Sequence, residues 1–310
     1  MDIVISEFMD EPAVQRLREQ FSVLYDPGLV DRPLDLQSAL ARSRALIVRN
    51  RTQVNQALLE HAPRLQVVGR LGVGLDNIEQ GPCRDRGVQV IPATGANARA
   101  VAEYVLGASL LLARGAFGST RAVASGQWPR TALGQGREID GLILGLIGFG
   151  DIARQLSAMA GHLGLSVLAH DPGLAPDDPA WAAHPARPLA LDELLAQADI
   201  VSLHVPLLPS TRGLIDTRRL EQMKPDAILI NTARGGVVDE AAVAAALRAR
   251  RLGGAALDVF DEEPLPCSEH LQDVPNLILT PHIAGLSRQA NTRVSAFVAD
   301  AVARQLRSPS

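Results

Sequence analysis

Short β-branched runs recurring between helix-period stretches constrain this chain more than any other feature of its sequence. The first series is Ile3–Ser6, Ser22–Tyr25, Ala45–Val48, Gln66–Gly69 and Val88–Ile91, with helix-like segments such as Val14–Gln20 and Gln53–His61 between them. The second is Leu142–Ile147, Ser166–Ala169, Ile200–Leu203, Ala227–Ile230, Gly254–Leu257 and Leu277–Leu279. A strand followed by a helix and then another strand returns the chain in the same direction, so both series predict parallel sheets covered by helices. Between them Ala98–Arg114 reads as a long helix with Asn97 at its start, and the tail Arg288–Leu306 reads as another. The last helix is expected to return to the first unit. That gives one domain of residues 1–97 plus 286–310 and an inserted domain of residues 98–285.

At 310 residues and 47% hydrophobic side chains the chain is long enough for two packed domains, and it has no apolar run of about eighteen residues to cross a membrane. The start MDIVISEF lacks the basic and long apolar regions of a secretory signal, and Cys83 and Cys267 form neither a ligand spacing nor a disulfide framework. A reducing cytoplasm is the expected location. A net charge of −4 without blocks of like charge gives no electrostatic reason to bind nucleic acid or an anionic membrane. The expected partner is therefore a small molecule.

Gly148-Phe149-Gly150-Asp151-Ile152-Ala153 fits G-x-G-x-x-G/A, directly after the apolar strand and before a helical pattern running to about Gly161. Gly148 permits a tight turn, Gly150 lets the backbone approach a pyrophosphate, and small Ala153 lets helix and strand pack closely. The next strand ends at His170-Asp171, which puts a carboxylate where a ribose 2′-hydroxyl is expected and points to NAD. An ordinary turn aspartate before Pro172 is the other reading of Asp171.

Further motifs carry a resemblance. They are Gly69 to Asn77 (GRLGVGLDN), Val101-Ala102-Glu103, Gly126 to Arg130 (GQWPR), Pro206 to Thr211 (PLLPST), Asn231 to Gly236 (NTARGG), Ala255 to Pro264 (AALDVFDEEP) and Thr280 to Gly285 (TPHIAG). Across nearly the whole chain these resemble the D-isomer-specific 2-hydroxyacid dehydrogenase family, in the branch containing D-3-phosphoglycerate dehydrogenase. Ala153 departs from the glycine usual at the third fingerprint position, a sterically small exchange. The resemblance implies two Rossmann-like parallel-sheet domains, a flavodoxin-like substrate domain and an inserted NAD-binding Rossmann domain with a cleft between them, and usually a homodimer formed through the coenzyme domains. It implies Arg234 as the substrate-carboxylate arginine, Glu263 as the acidic relay residue and His282 as the acid/base histidine. It puts Phe149, Asp151, Ile152, Pro206, Thr211, Thr232, Asp258 and His282 beside the coenzyme, Asp258 near the nicotinamide carboxamide. The Gly72-Val73-Gly74 loop would offer backbone N–H groups, those of Val73 and Gly74 among them, to the substrate carboxylate.

The chemistry asks for these residue types independently. Oxidising a secondary alcohol removes a hydroxyl proton along with a hydride, and histidine exchanges protons near neutral pH. A carboxylate on its other ring nitrogen fixes the tautomer and stabilises imidazolium, while a guanidinium holds a carboxylate through two donors. The cofactor supplies the redox step, so no metal is expected. Arg49, with Arg51 or Arg70, predicts a substrate carrying a second anionic group; solvated loop arginines are the plainer alternative. The substrates expected first are 3-sulfolactate and 3-phosphoglycerate. Trp128 and Arg130 read as structural, Trp128 as a packing anchor, and Asn77 and Glu103 as supports of the fold. An NAD(H)-sensing corepressor-like module would need a partner surface or nucleic-acid element that is not visible, and formate dehydrogenases of this family carry glutamine where Glu263 stands; phosphonate oxidation is a further alternative. No appended regulatory domain is expected after residue 306.

Overall fold

Both faces of the first sheet are apolar, which is what helices packed on each side require. In a computed structural model, which describes residues 1–175 and 177–308, β1 (Ile3–Ile5) lies between β2 (Val23–Tyr25) and β3 (Ala45–Val48), followed by β4 (Val67–Arg70) and β5 (Gln89–Pro92). The order β2-β1-β3-β4-β5, all parallel, is flavodoxin-like. Alternation along the strands sorts the core into two layers. Ile3, Ile5, Ala45 and Ile47 pack with Val14 and Leu17 of the helix Glu11–Arg18 and Val298 and Val302 of the helix Arg288–Arg307. Val4, Leu46 and Val48 meet Leu36 and Leu40 of Pro33–Leu40 and Leu58 and Leu59 of Gln56–Glu60.

The second unit holds β6 (Ile143–Ile147), β7 (Ser166–His170), β8 (Arg187–Pro188), β9 (Ile200–Leu203), β10 (Ile228–Asn231), β11 (Gly254–Leu257) and β12 (Leu277–Leu279) in one parallel sheet of order β12-β11-β10-β9-β6-β7-β8. The order reverses at β6, the topological switch point of a Rossmann sheet, and the glycine loop follows that strand. The helix Ala98–Arg114 packs Val101, Val105 and Leu112 into the same core as Leu144, Leu146 and Ile230. By contact density the units comprise Met1–Asn97 with Leu286–Ser310, and Ala98–Gly285. Positions 309 and 310, which end the segment expected to complete the first domain, lie outside the described residues.

Several local expectations need correction. Asn97 does not cap the long helix: its Oδ1 is buried without a hydrogen-bond partner. The segment expected as helix over Gln53–His61 is helical only from Gln56 to Glu60, because Asn55 is the residue whose side chain accepts from Leu58 N–H, while Val54 is drawn into a bridge with Ile78. The helix expected at Val14 already starts at Glu11, with proline in its first turn. β8 is a two-residue edge pairing with no pattern of its own to reveal it. Trp128 anchors no packing within the chain; it is 77% exposed. Among the described residues Glu103 forms an exposed pair with Arg99, a weak support for the fold.

Candidate active site

The site candidates of the second unit stand at the carboxyl ends of strands. Gly148–Ile152 follow β6, Asp171 follows β7, Pro206 and Thr211 follow β9, Thr232 and Arg234 follow β10, Asp258 follows β11 and His282 follows β12. A parallel sheet gathers these ends along one edge, so residues distant in sequence share one rim.

The glycine loop separates what the fold needs from what a ligand would need. Gly148 has φ +91°, and a Cβ there would stand 2.5 Å from the His204 carbonyl oxygen, so the chain itself demands glycine. A Cβ on Gly150 would meet nothing within 4 Å, and its φ is −80°. Nothing in the fold requires that glycine, and the open space before the helix Asp151–Gly161 suits a phosphate. Ala153 is fully buried against the sheet. Phe149 is also fully buried, stacked on Trp181 at 4.7 Å, so only its backbone remains for a cofactor. Asp171 accepts from Phe149 N–H through Oδ2 (2.8 Å) and from Gly173 N–H through Oδ1 (2.9 Å). The turn bond exists, yet it leaves lone pairs on both oxygens for a further donor. Thr211 directs its hydroxyl to the Pro206 carbonyl (2.6 Å) and closes that loop on itself. Thr232 Oγ1 is buried with no hydrogen-bond partner among the described residues, an orphan that a nicotinamide nucleotide could satisfy.

His282 and Glu263 come from loops 19 residues apart and meet at 2.6 Å between Nδ1 and Oε2. The other carboxylate oxygen of Glu263 accepts from Phe260 N–H at 3.0 Å, so it is held at both ends. His282 has φ +52°, a left-handed conformation uncommon for any residue but glycine and held here by its surroundings. Asp258 imposes it. Its carbonyl accepts from His282 N–H (2.8 Å), Oδ1 from Ile283 N–H (2.8 Å) and from the Thr280 hydroxyl (2.6 Å), and Oδ2 from Ala284 N–H (2.8 Å). With 1% of its surface exposed, Asp258 is engaged with the turn that carries His282. Tyr104 extends the chain of hydroxyls, its Oη 2.6 Å from Thr280 Oγ1. Burial raises the Tyr104 pKa, and the hydrogen bond to Thr280 opposes that in part.

Arg234 sits in a turn braced by buried Asn231, whose Nδ2 donates to the Arg234 carbonyl (3.0 Å) and whose Oδ1 accepts from Ala233 N–H (3.0 Å). Gly235 allows this turn to approach the Glu263 loop, for a Cβ there would lie 1.8 Å from the Phe260 carbonyl oxygen. Glu240 secures the same loop by accepting from Asp261 N–H at 2.9 Å, and burial raises its pKa. Tyr104, Thr280, Asn231 and Glu240 were given no role by sequence reasoning. Asn231 and Thr280 lie inside the NTARGG and TPHIAG motifs; nothing local marks Tyr104 or Glu240.

In the first unit, Val73 and Gly74 follow β4. Among the described residues their N–H groups donate to no acceptor, whereas the neighbouring Leu71 and Gly72 amides are bonded within the fold. The three arginines differ. Arg51 pairs with Asp31 at the surface. Arg70 folds back to donate to the Leu71 carbonyl at 3.1 Å. Arg49 donates to Asn291 Oδ1 at 2.9 Å and lies 5.7 Å from the centre of the Phe8 ring.

The profile of the D-isomer specific 2-hydroxyacid dehydrogenase NAD-binding domain matches residues 106–284. The chain belongs to that family. It is an NAD-dependent 2-hydroxyacid dehydrogenase. Over 305 residues it is 54% identical to the (S)-sulfolactate dehydrogenase of Chromohalobacter salexigens, covering 98% of both chains. It is 34% identical to the D-3-phosphoglycerate dehydrogenase of Methanocaldococcus jannaschii, over 98% of this chain and 57% of that longer protein. Among solved structures it superposes on the TT0316 protein of Thermus thermophilus with a TM-score of 0.88 and 33% identity, over 99% and 97% of the two chains. In this dehydrogenase the open space at Gly150 and the unpartnered Thr232 hydroxyl fit the family's cofactor, NAD.

Proposed function

We propose that this dehydrogenase interconverts a small D-2-hydroxy acid carrying a second anionic group, of the 3-sulfolactate or 3-phosphoglycerate kind, with its 2-oxo acid, His282 being the acid/base. The observation that carries the chemistry is the His282–Glu263 pair at 2.6 Å. With Nδ1 held by the carboxylate, Nε2 is left to give a proton to the carbonyl oxygen in reduction or take it from the hydroxyl in oxidation, and Glu263 stabilises the imidazolium. NAD, when bound, supplies or accepts the hydride. As the family resemblance implies, Arg234 binds the substrate carboxylate, and the Val73 and Gly74 amides of the first unit, which donate to no acceptor among the described residues, are carboxylate donors. Backbone of Gly148, Phe149, Gly150, Asp151 and Ile152 receives the pyrophosphate, Asp171 the ribose, and Pro206, Thr211, Thr232 and Asp258 complete the coenzyme's surroundings. The first unit is accordingly the substrate domain.

The 54% identical relative, an (S)-sulfolactate dehydrogenase, supports the substrate class, and its (S) descriptor agrees with D-specificity. A sulfomethyl group outranks a carboxylate in the priority order where a methyl does not, so (S)-3-sulfolactate has the spatial arrangement of a D-2-hydroxy acid. The cytoplasm, where NAD is abundant, is the proposed location. A homodimer is the proposed assembly, formed by the second unit through the stretch 110–128, where Leu110, Leu111, Phe117, Val123 and Trp128 are all exposed. The test is a panel of sulfopyruvate, phosphohydroxypyruvate, pyruvate and glyoxylate with NADH and NADPH. The dianionic oxo acids are expected to be preferred, with NADH favoured at least about tenfold because Asp171 would repel a 2′-phosphate. A parent enzyme preferring the monoanions would refute the substrate class.

A further inference from the structure

Arg49 is a half-buried cation whose direct hydrogen-bond and ring contacts among the described residues are neutral. Its guanidinium contacts the Asn291 side-chain oxygen and the Phe8 ring, and among the described residues no carboxylate lies within ion-pair distance of it. Arg51, two positions on, is exposed and paired with Asp31. Burial pushes the Arg49 pKa down, with the charge of Glu7 opposing. A partly desolvated cation that a carboxylate offsets only from a distance, its direct contacts being neutral, gains from an anion that joins it.

The backbone beneath it is held independently. Glu7, 5% exposed, accepts from the N–H groups of all four loop residues: Arg49 (2.9 Å) and Thr52 (3.0 Å) at Oε1, Asn50 (3.3 Å) and Arg51 (3.1 Å) at Oε2. Asn77 Nδ2 donates to the Thr52 and Arg49 carbonyls, at 2.7 and 3.4 Å, and Ser6 Oγ meets Thr52 Oγ1 at 2.9 Å. The Glu7 carboxylate thus lies on the loop amides and forms no hydrogen bond with the Arg49 guanidinium. Asn291, on the helix Arg288–Arg307, turns its one acceptor to Arg49, and its amide nitrogen bonds no other described residue.

We propose that Asn291 is a specificity-determining residue and Glu7 a positioning residue for recognition of the substrate's sulfonate or phosphate. Glu7 locks the loop so that Arg49 leaves the end of β3 in one direction, and Asn291 holds the guanidinium while offering its own N–H₂ to the same anion. This rests on the dianionic substrate class proposed above, and the experiment separates the two.

Steady-state kinetics of the parent, Asn291→Leu, Glu7→Gln and the control Arg51→Ala are measured with sulfopyruvate, phosphohydroxypyruvate and pyruvate, and the Tm of each protein is recorded. Asn291→Leu is expected to raise KM for both dianions about tenfold or more, leaving kcat and the pyruvate parameters within about twofold. Glu7→Gln, which puts an amide donor where the loop already supplies donors, is expected to do the same, and Arg51→Ala to match the parent. An unchanged ratio of dianion to pyruvate efficiency in Asn291→Leu, or an equal loss on every substrate, overturns the proposal even where the parent prefers dianions. If Glu7→Gln does not fold, the Asn291→Leu ratio decides alone. A parent without dianion preference defeats the substrate class first, and this proposal with it.

Discussion

His282 joins two requirements at one residue, a left-handed backbone and a side chain aimed at Glu263. The first makes the position sensitive to its supports and the second to its chemistry, and substitutions separate them. His282→Ala removes the proton carrier but no part of the glycine loop. Turnover is expected to fall by about a hundred- to ten-thousandfold while NADH affinity, read by fluorescence titration, stays within a few-fold. Turnover close to the parent's at all pH values would remove His282 from the acid/base role. Glu263→Gln keeps a hydrogen bond to Nδ1 but not the charge that stabilises imidazolium, so it should lower kcat without displacing the ring.

At the scale of the element, the loop after β6 allows a clean division between folding and binding. Gly150→Ala should leave Tm nearly unchanged, since its Cβ enters open space, and weaken NADH binding at least about tenfold by occupying the phosphate's place. Gly148→Ala should destabilise the protein by about 2 kcal/mol or more, because positive φ and a 2.5 Å approach to the His204 carbonyl both oppose a side chain. A destabilised Gly150→Ala with unchanged NADH binding would contradict this division. His204, at the end of β9, adds a dependence on pH. Its Nδ1 is buried without a partner although part of the residue is open, and burial lowers its pKa to about 4. The folded state binds the His204 proton less readily than the unfolded chain, whose histidine titrates near 6.5. Above that pH His204 has no effect; as pH falls from about 6.5 towards 4 the unfolded state gains protons first and stability declines, by at most about 3 kcal/mol. Glu7 acts in the same direction further down. Burial tends to raise its pKa, but the donors from Thr52, Arg49 and Arg51 outweigh it, so the lowered value makes stability fall once pH drops below the ordinary glutamate range. Denaturant midpoints from pH 7 to 4 should slope less in His204→Asn than in the parent; equal slopes would discount His204.

For the whole molecule, the exposed apolar stretch from Leu110 to Trp128 is the feature that a single chain leaves unexplained. Covered by the same stretch of a second copy, it would explain why Trp128, 77% exposed, and Phe117, 64% exposed, are not drawn into their own core. Light scattering is expected to report a dimer with a concentration-dependent Tm, and Phe117→Glu with Trp128→Glu a monomer of lower Tm. A monomeric parent at micromolar concentration would refute the dimer.

The sequence by itself determined the parts that depend on local pattern. β3, β9, β11 and β12 lie where β-branched and apolar runs predicted them, and the glycine pattern after β6 marked the turn at the switch point. Period and composition act within a few residues, so they survive without knowledge of the fold. The strand ends that shifted by a residue, and two-residue β8, were decided by pairing with a neighbour. Arg234, Glu263 and His282 were singled out through family motifs, since no spacing brings residues 263 and 282 together. What only the tertiary structure decided are the partnerships between distant segments: Tyr104 with Thr280 across 176 residues, Glu7 with the amides of 49–52, and Arg49 with Asn291 across 242. It also decided that Arg51 pairs with Asp31 while Arg49 meets a neutral side-chain oxygen and a ring. All three arginines read alike in the chain, because a charge has no local signature of its partner; burial and the neighbours that arrive with folding give each its chemistry.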